Sequence, residues 1–217
     1  MKNSKKQKAV KILKELKRRY PQAKVSLQSE NIFQLLVAVI LSAQCTDARV
    51  NIVTKELFKK YKNVDDFVLI SQSKLEEEIH STGFFRNKTK NIIATAKRIK
   101  DEFNGIVPDN MEDLLTFQGV ARKTANIILY HGFGKNIGIA VDTHVFRVTG
   151  RLGIAGWKDP KKTEKELMVL FPRGSYGSLS DMIILFGRNI CPARNPKCDM
   201  CPFVKICDYY KRVVSRT

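Results

Sequence analysis

Apolar residues recur at helical spacing along most of this chain, and no segment shows the period of two that a half-buried strand needs. Residues 4–20 are basic, with Val10, Ile12, Leu13, Leu16 and Tyr20 apolar at mostly helical spacing, which predicts an amphipathic helix stopped by Pro21. Residues 32–44 are apolar nearly all round and predict a helix buried at a domain centre. That helix runs out in Ser42-Ala43-Gln44-Cys45-Thr46-Asp47. Residues 47–61 predict another, with Val50, Val53, Leu57 and Tyr61 on one face. Ser73-Lys74-Leu75-Glu76 has capping-box spacing, and Gly83 can close the helix it opens. Residues 88–103 turn Ile92, Ala96, Ile99 and Phe103 inward before Gly105. Asp142 predicts an N-cap, Asp159-Pro160 opens a further helix, and residues 178–190 give one more. Short connections between these elements argue for an all-α fold.

Residues 114–129 combine these patterns differently. A short apolar segment enters a tight turn, Phe117-Gln118-Gly119-Val120-Ala121, and a second helix starts with Arg122 and Lys123 in its first turn. Cations are unfavourable at a helix N-terminus, where the backbone already carries partial positive charge. An anion bound at the turn would offset that cost. Free N–H groups at a helix start, with Gly119 allowing close approach, suit a phosphate. A second reason for the pair is chemical: an uncharged lysine is a nucleophile, and a cationic neighbour at a helix start favours the uncharged form. A plain αα-hairpin with a solvated Arg-Lys pair satisfies the same pattern.

Charge narrows the choice. The 217 residues carry a formal net charge of +18, spread along the chain instead of confined to one tail. A folded basic surface of that size implies a polyanionic partner, nucleic acid before an anionic membrane surface. The longest apolar run, residues 35–41, is far short of the ~20 residues that cross a bilayer. The charged N-terminus lacks the apolar region of a signal peptide, so an intracellular location and reduced cysteines are expected. Four of the five cysteines form Cys191-x6-Cys198-x2-Cys201-x5-Cys207. Such a set suits tetrahedral zinc or an iron–sulfur cluster. The uneven spacing, with one Cys-x2-Cys knuckle instead of two, suits wrapping a cubic cluster better than gripping one ion. Cys45 stands outside the set and reads as a small buried residue.

The helix from Arg122 is about 15 Å long at 1.5 Å per residue. The connection 132–141 reaches up to about 33 Å. The chain can therefore return and bring Asp142 near Lys123.

The 114–129 hairpin and the cysteine spacing resemble those of endonuclease III-like DNA glycosylases, a family whose hairpin reads Leu-Pro-Gly-Val-Gly. Here Gln118 replaces the Pro and Ala121 the second Gly, so Ala121 needs a negative φ to avoid strain. The resemblance covers most of the chain. It implies two helical lobes with a cleft between them: residues 25–135, carrying the helix-hairpin-helix at about 112–131, and residues 1–24 with 136–217, carrying a C-terminal [4Fe–4S] loop held by Cys191, Cys198, Cys201 and Cys207. It implies that Lys123 attacks the sugar of a damaged nucleotide, with Asp142 as the carboxylate that supports the reaction across the cleft. It further implies DNA contacts by Gly119, Ala121 and Arg122 of the hairpin, by His144 at the backbone, and by Gln44 and Phe84, which replaces a Leu, filling the space an extruded base leaves. Arg194 and Lys197 can present cations to phosphate from the first cysteine loop.

The expected function is that of a monomeric bifunctional glycosylase and abasic-site lyase. It would remove oxidised pyrimidines from double-stranded DNA. Three alternatives remain at this point: a mismatch glycosylase for adenine or thymine, a helix-hairpin-helix binding module without catalysis, and a zinc-ribbon nucleic-acid binder.

Overall fold

A computed structural model describes residues 2–156 and 159–214 of the chain. Every regular element among the described residues is helical. The chain divides into two compact units, Ser26–Lys135 and Met1–Val25 with Asn136–Thr217. The first helix, α1 (Lys2–Arg19), belongs to the second of these.

In the unit Ser26–Lys135, α2 (Ile32–Leu41) is the central rod: all its residues from Phe33 to Leu41 are buried. Its one polar core residue, Gln34, is fully satisfied. It donates to Lys62 O at 3.2 Å, accepts from Glu30 N at 2.9 Å, and its own N–H meets the N-cap Asn31. α3 (Asp47–Lys60) and the long α6 (Phe85–Phe103) pack on the rod, and α4 (Val64–Leu69) and α5 (Gln72–Ile79) pack on α6. The sequence pattern does not reveal α4, because only Val64 and Phe67 of its six residues are buried and two positions make no periodicity. A full capping box between Asn63 and Asp66 opens it instead. The cap of α5 is Ser71, which accepts from Lys74 N, and not the expected Ser73. α6 begins at Phe85, three residues before the expected start, and ends at Asn104 and Gly105 with φ of 50° and 77°. The hairpin follows as α7 (Met111–Leu114) and α8 (Arg122–Ile127), the latter widening into a π-turn over Ile128–Gly132.

In the other unit, α1 packs on α11 (Tyr176–Asn189) and α10 (Pro160–Leu170), and α9 (Thr143–Leu152) packs on α11. The buried stripe of α1 is Ala9, Ile12 and Leu16, with Leu13 and Tyr20 half-buried against it; Val10, expected inward, is 62% exposed. Burying side chains such as Ile12 and Leu16 stabilises by roughly 1.5–3 kcal/mol each. Lys8 ties α1 to the C-terminal segment through Asp208 at 2.6 Å and to the end of α9 through Leu152 O at 3.0 Å. Asp208 rests where Gly153 ends α9 with φ of 72°, a position any Cβ would contest. No helix among the described residues is long and apolar enough to cross a membrane.

Candidate functional site

The hairpin is built on the flank of α6. Gly119 turns with φ of 78°, and Asn91 of α6 packs so closely that a Cβ there would lie 2.7 Å from its amide nitrogen. Thr95 donates to Gln118 O at 3.4 Å and Arg98 to Thr116 O at 2.8 Å. Phe117 packs edge-on to Phe103 with ring centroids 5.6 Å apart, and Val120 is buried. Ala121 adopts φ of −90° and ψ of 170°, so its substitution for glycine introduces no backbone strain. As N-cap it offers no side-chain acceptor to the first turn of α8. Arg122 in that turn is half-buried and Lys123 is exposed.

Gln44 and Phe84 occupy matching positions. Each follows the end of a helical segment, α2 in one case and the turn His80–Thr82 in the other. Each is in the left-handed region, with φ of 52° and 48°. That conformation is costly for residues other than glycine, by about 1–3 kcal/mol, and above all for a bulky ring. Phe84 is 62% exposed, which removes a core role, and Gln44 is exposed. α3 takes its cap from Thr46, so Gln44 is not retained for capping. Both side chains line one hollow of about 170 Å³ with Ile40, Asn87, Lys88 and Gly119. Cys45, expected to be buried, is half-buried.

Asp142 is the N-cap of α9, accepting from Val145 N at 2.8 Å through Oδ1. Its Oδ2 lies 3.0 Å from Nδ1 of His144. The carboxylate is thus held at both oxygens, and the half-buried His144 is oriented by it.

Cys191, Cys198, Cys201 and Cys207 line one cavity whose other walls include Leu152, Phe186, Ile190 and Val204. Among the described residues no three His, Cys, Asp or Glu side chains converge to suit a single metal ion. Burial pushes the Cys201 thiol up to about 11 and raises that of Cys198. Thiols so placed stay neutral unless a metal deprotonates them. Arg151, itself buried, donates to Cys191 Sγ at 3.2 Å, to Pro192 O at 2.7 Å and to Ala193 O at 2.8 Å. Arg147 donates to Cys191 O and Gly187 O. Four soft donors with apolar walls and a guanidinium donor to sulfur fit an iron–sulfur cluster. The sequence reading missed Arg147 and Arg151. Their only sequence signal is an Arg four residues after another in a helix whose remaining face is apolar. Arg194 and Lys197 are exposed on the first cysteine loop, near the left-handed Asn195.

The description HhH-GPD superfamily base excision DNA repair protein fits residues 37–173, and the chain belongs to that superfamily. Within it, the chain is similar to Endonuclease III of Synechocystis sp., at 50% identity over 94% of this chain and 93% of the relative. Its fold matches a non-covalent Endonuclease III–DNA complex with a TM-score of 0.93, at 41% identity over 98% of this chain and 99% of the other. It also matches a trapped covalent Endonuclease III–DNA intermediate, an estranged-adenine complex. There the TM-score is 0.91 and the identity 42%, over 95% and 97% of the two chains.

Proposed function

We propose that this chain is a DNA glycosylase and abasic-site lyase of base excision repair, acting on double-stranded DNA and using Lys123 as its nucleophile. The observation that carries this is Lys123 itself. It stands exposed in the first turn of α8, behind the left-handed turn at Gly119, in a chain 42% identical to an Endonuclease III trapped covalently on DNA.

The base is extruded, and the Lys123 amine attacks C1′ of the sugar. The base leaves with the C1′–N bond electrons and a proton. The sugar ring opens to a Schiff base between C1′ and Nζ. Loss of a C2′ proton then expels the 3′ phosphate by β-elimination. Asp142 is a carboxylate with fixed orientation. It stabilises positive charge developing at the sugar. Gln44 and Phe84 fill the vacated stack, which accounts for two exposed, strained residues on one hollow. Gly119, Ala121 and Arg122 hold the phosphate backbone at the hairpin, and His144, Arg194 and Lys197 add further backbone contacts. Cys191, Cys198, Cys201 and Cys207 hold a [4Fe–4S] cluster, which supplies a structural crosslink to the C-terminal loop and no redox step.

The preferred substrates are oxidised pyrimidines. Duplexes carrying one oxidised pyrimidine, an undamaged pyrimidine, or an A·G or T·G mismatch separate this reading from its alternatives. Base release and strand cleavage on the first alone is expected. Cleavage confined to a mismatch would favour the mismatch enzyme, and binding without cleavage of any would leave a binding module.

A further inference from the structure

Lys88, one turn into α6, is 4% exposed. Its ammonium donates to Leu41 O and to Thr82 O, both at 2.8 Å, and its N–H donates to Phe84 O at 3.1 Å. Burial lowers its pKa, and the partners of its ammonium among the described residues are main-chain carbonyls, not carboxylates. A buried ammonium without a counter-ion is costly, and an unbranched aliphatic side chain such as Met would fill the same space. Packing alone therefore does not explain a lysine here. Its two acceptors do. Leu41 is the last residue of α2 and Thr82 the last of the turn His80–Thr82, so both carbonyls lie at helix ends that lack intrahelical donors. Gln44 stands three residues beyond the first and Phe84 two beyond the second. Both are left-handed and both line the hollow that Lys88 also lines. Non-glycine residues persist in that conformation only where their surroundings over-determine it.

We infer that Lys88 is a positioning residue that locks the two turns carrying Gln44 and Phe84 at a fixed spacing, so that both side chains enter the duplex together. This rests on the glycosylase and lyase reading above. Lys88 touches neither the sugar nor the damaged base. It acts through main-chain carbonyls, and its removal lets the two strained turns relax independently.

The test compares two substrates in one preparation. One is an abasic site in a fully paired duplex, where the stack must be filled. The other is an abasic site within a short unpaired bubble, where it need not be. The ratio of single-turnover cleavage rates on the two cancels the folded fraction, so a destabilised variant remains informative. Lys88→Met is expected to lower the duplex-to-bubble ratio by about tenfold to a hundredfold, since a small misplacement remote from the chemistry has effects of that order. In a Gln44→Ala, Phe84→Ala background it is expected to lower the ratio no further. A Lys88→Met ratio equal to that of the parent, or a fall of equal size in the double-alanine background, overturns the inference. A parent that cleaves neither substrate instead overturns the lyase reading on which it rests.

Discussion

Replacing Gly119 with alanine tests the hairpin at the point where backbone and packing demand the same residue. At φ of 78° an L-residue is strained by roughly 1–2 kcal/mol. The added Cβ would also lie 2.7 Å from Nδ2, 3.2 Å from Cγ and 3.3 Å from Cβ of Asn91. Asn91 must leave its rotamer, which costs about 0.5–1.5 kcal/mol more. The sum, roughly 1.5–3.5 kcal/mol, corresponds to a fall in Tm of about 3–14 °C for a chain of this length. Thermal melting followed by far-ultraviolet circular dichroism reads it directly. The two contributions separate in the double variant Gly119→Ala, Asn91→Ala. That variant removes the amide and Cγ while leaving the left-handed backbone, and is expected to recover only the rotamer part. A Gly119→Ala protein with the parent Tm, or one restored fully by Asn91→Ala, would refute the argument that the left-handed turn is what requires glycine.

Other outcomes follow from the same geometry. Asp142→Asn preserves a good N-cap for α9, so melting is expected to change little, while Asp142→Ala costs about 1 kcal/mol; cleavage of abasic DNA is expected to fall by roughly 10²–10⁴ in both, and retained activity in the Asn variant would remove the carboxylate from the mechanism. Arg151→Met leaves the carbonyls of Pro192 and Ala193 without their donor. Faster proteolysis within residues 191–207 with loss of visible cluster absorbance is expected. Arg18 and Arg19 hold the Glu15 carboxyl down to about 2 through hydrogen bonds. A depressed carboxyl stabilises above its unfolded value and loses that contribution as pH falls toward 2. Glu15→Gln is therefore expected to lower Tm slightly at pH 7, with the difference vanishing in acid. An equal difference at both pH values would contradict that assignment.

Much of the fold was legible because long helices print their buried face on the sequence. α2, α3, α6 and α11 lie close to where apolar spacing puts them, and Asp142 and Asp159 cap as their positions suggest. What escaped depended on contacts distant in sequence. Val10 fits the periodicity of α1 yet faces solvent, because the stripe that meets α11 runs through Ala9, Ile12 and Leu16. The start of α6 was misplaced because a left-handed Phe84, not a polar cap, opens it. In the candidate site, the four cysteines and the Arg122-Lys123 pair announce chemistry by residue type and spacing alone. Lys88 and Arg151 do not: each reads as one more cation in a basic chain, and only burial against main-chain carbonyls distinguishes it.

Borohydride trapping on a duplex with one abasic site tests the central claim most directly. The parent is expected to give a covalent protein–DNA complex whose crosslinked peptide maps to Lys123. Lys123→Ala and Lys123→Gln are expected to bind the same DNA and give none. A complex that persists in both variants would place the nucleophile elsewhere. A parent that binds tightly and traps nothing would contradict the lyase mechanism outright.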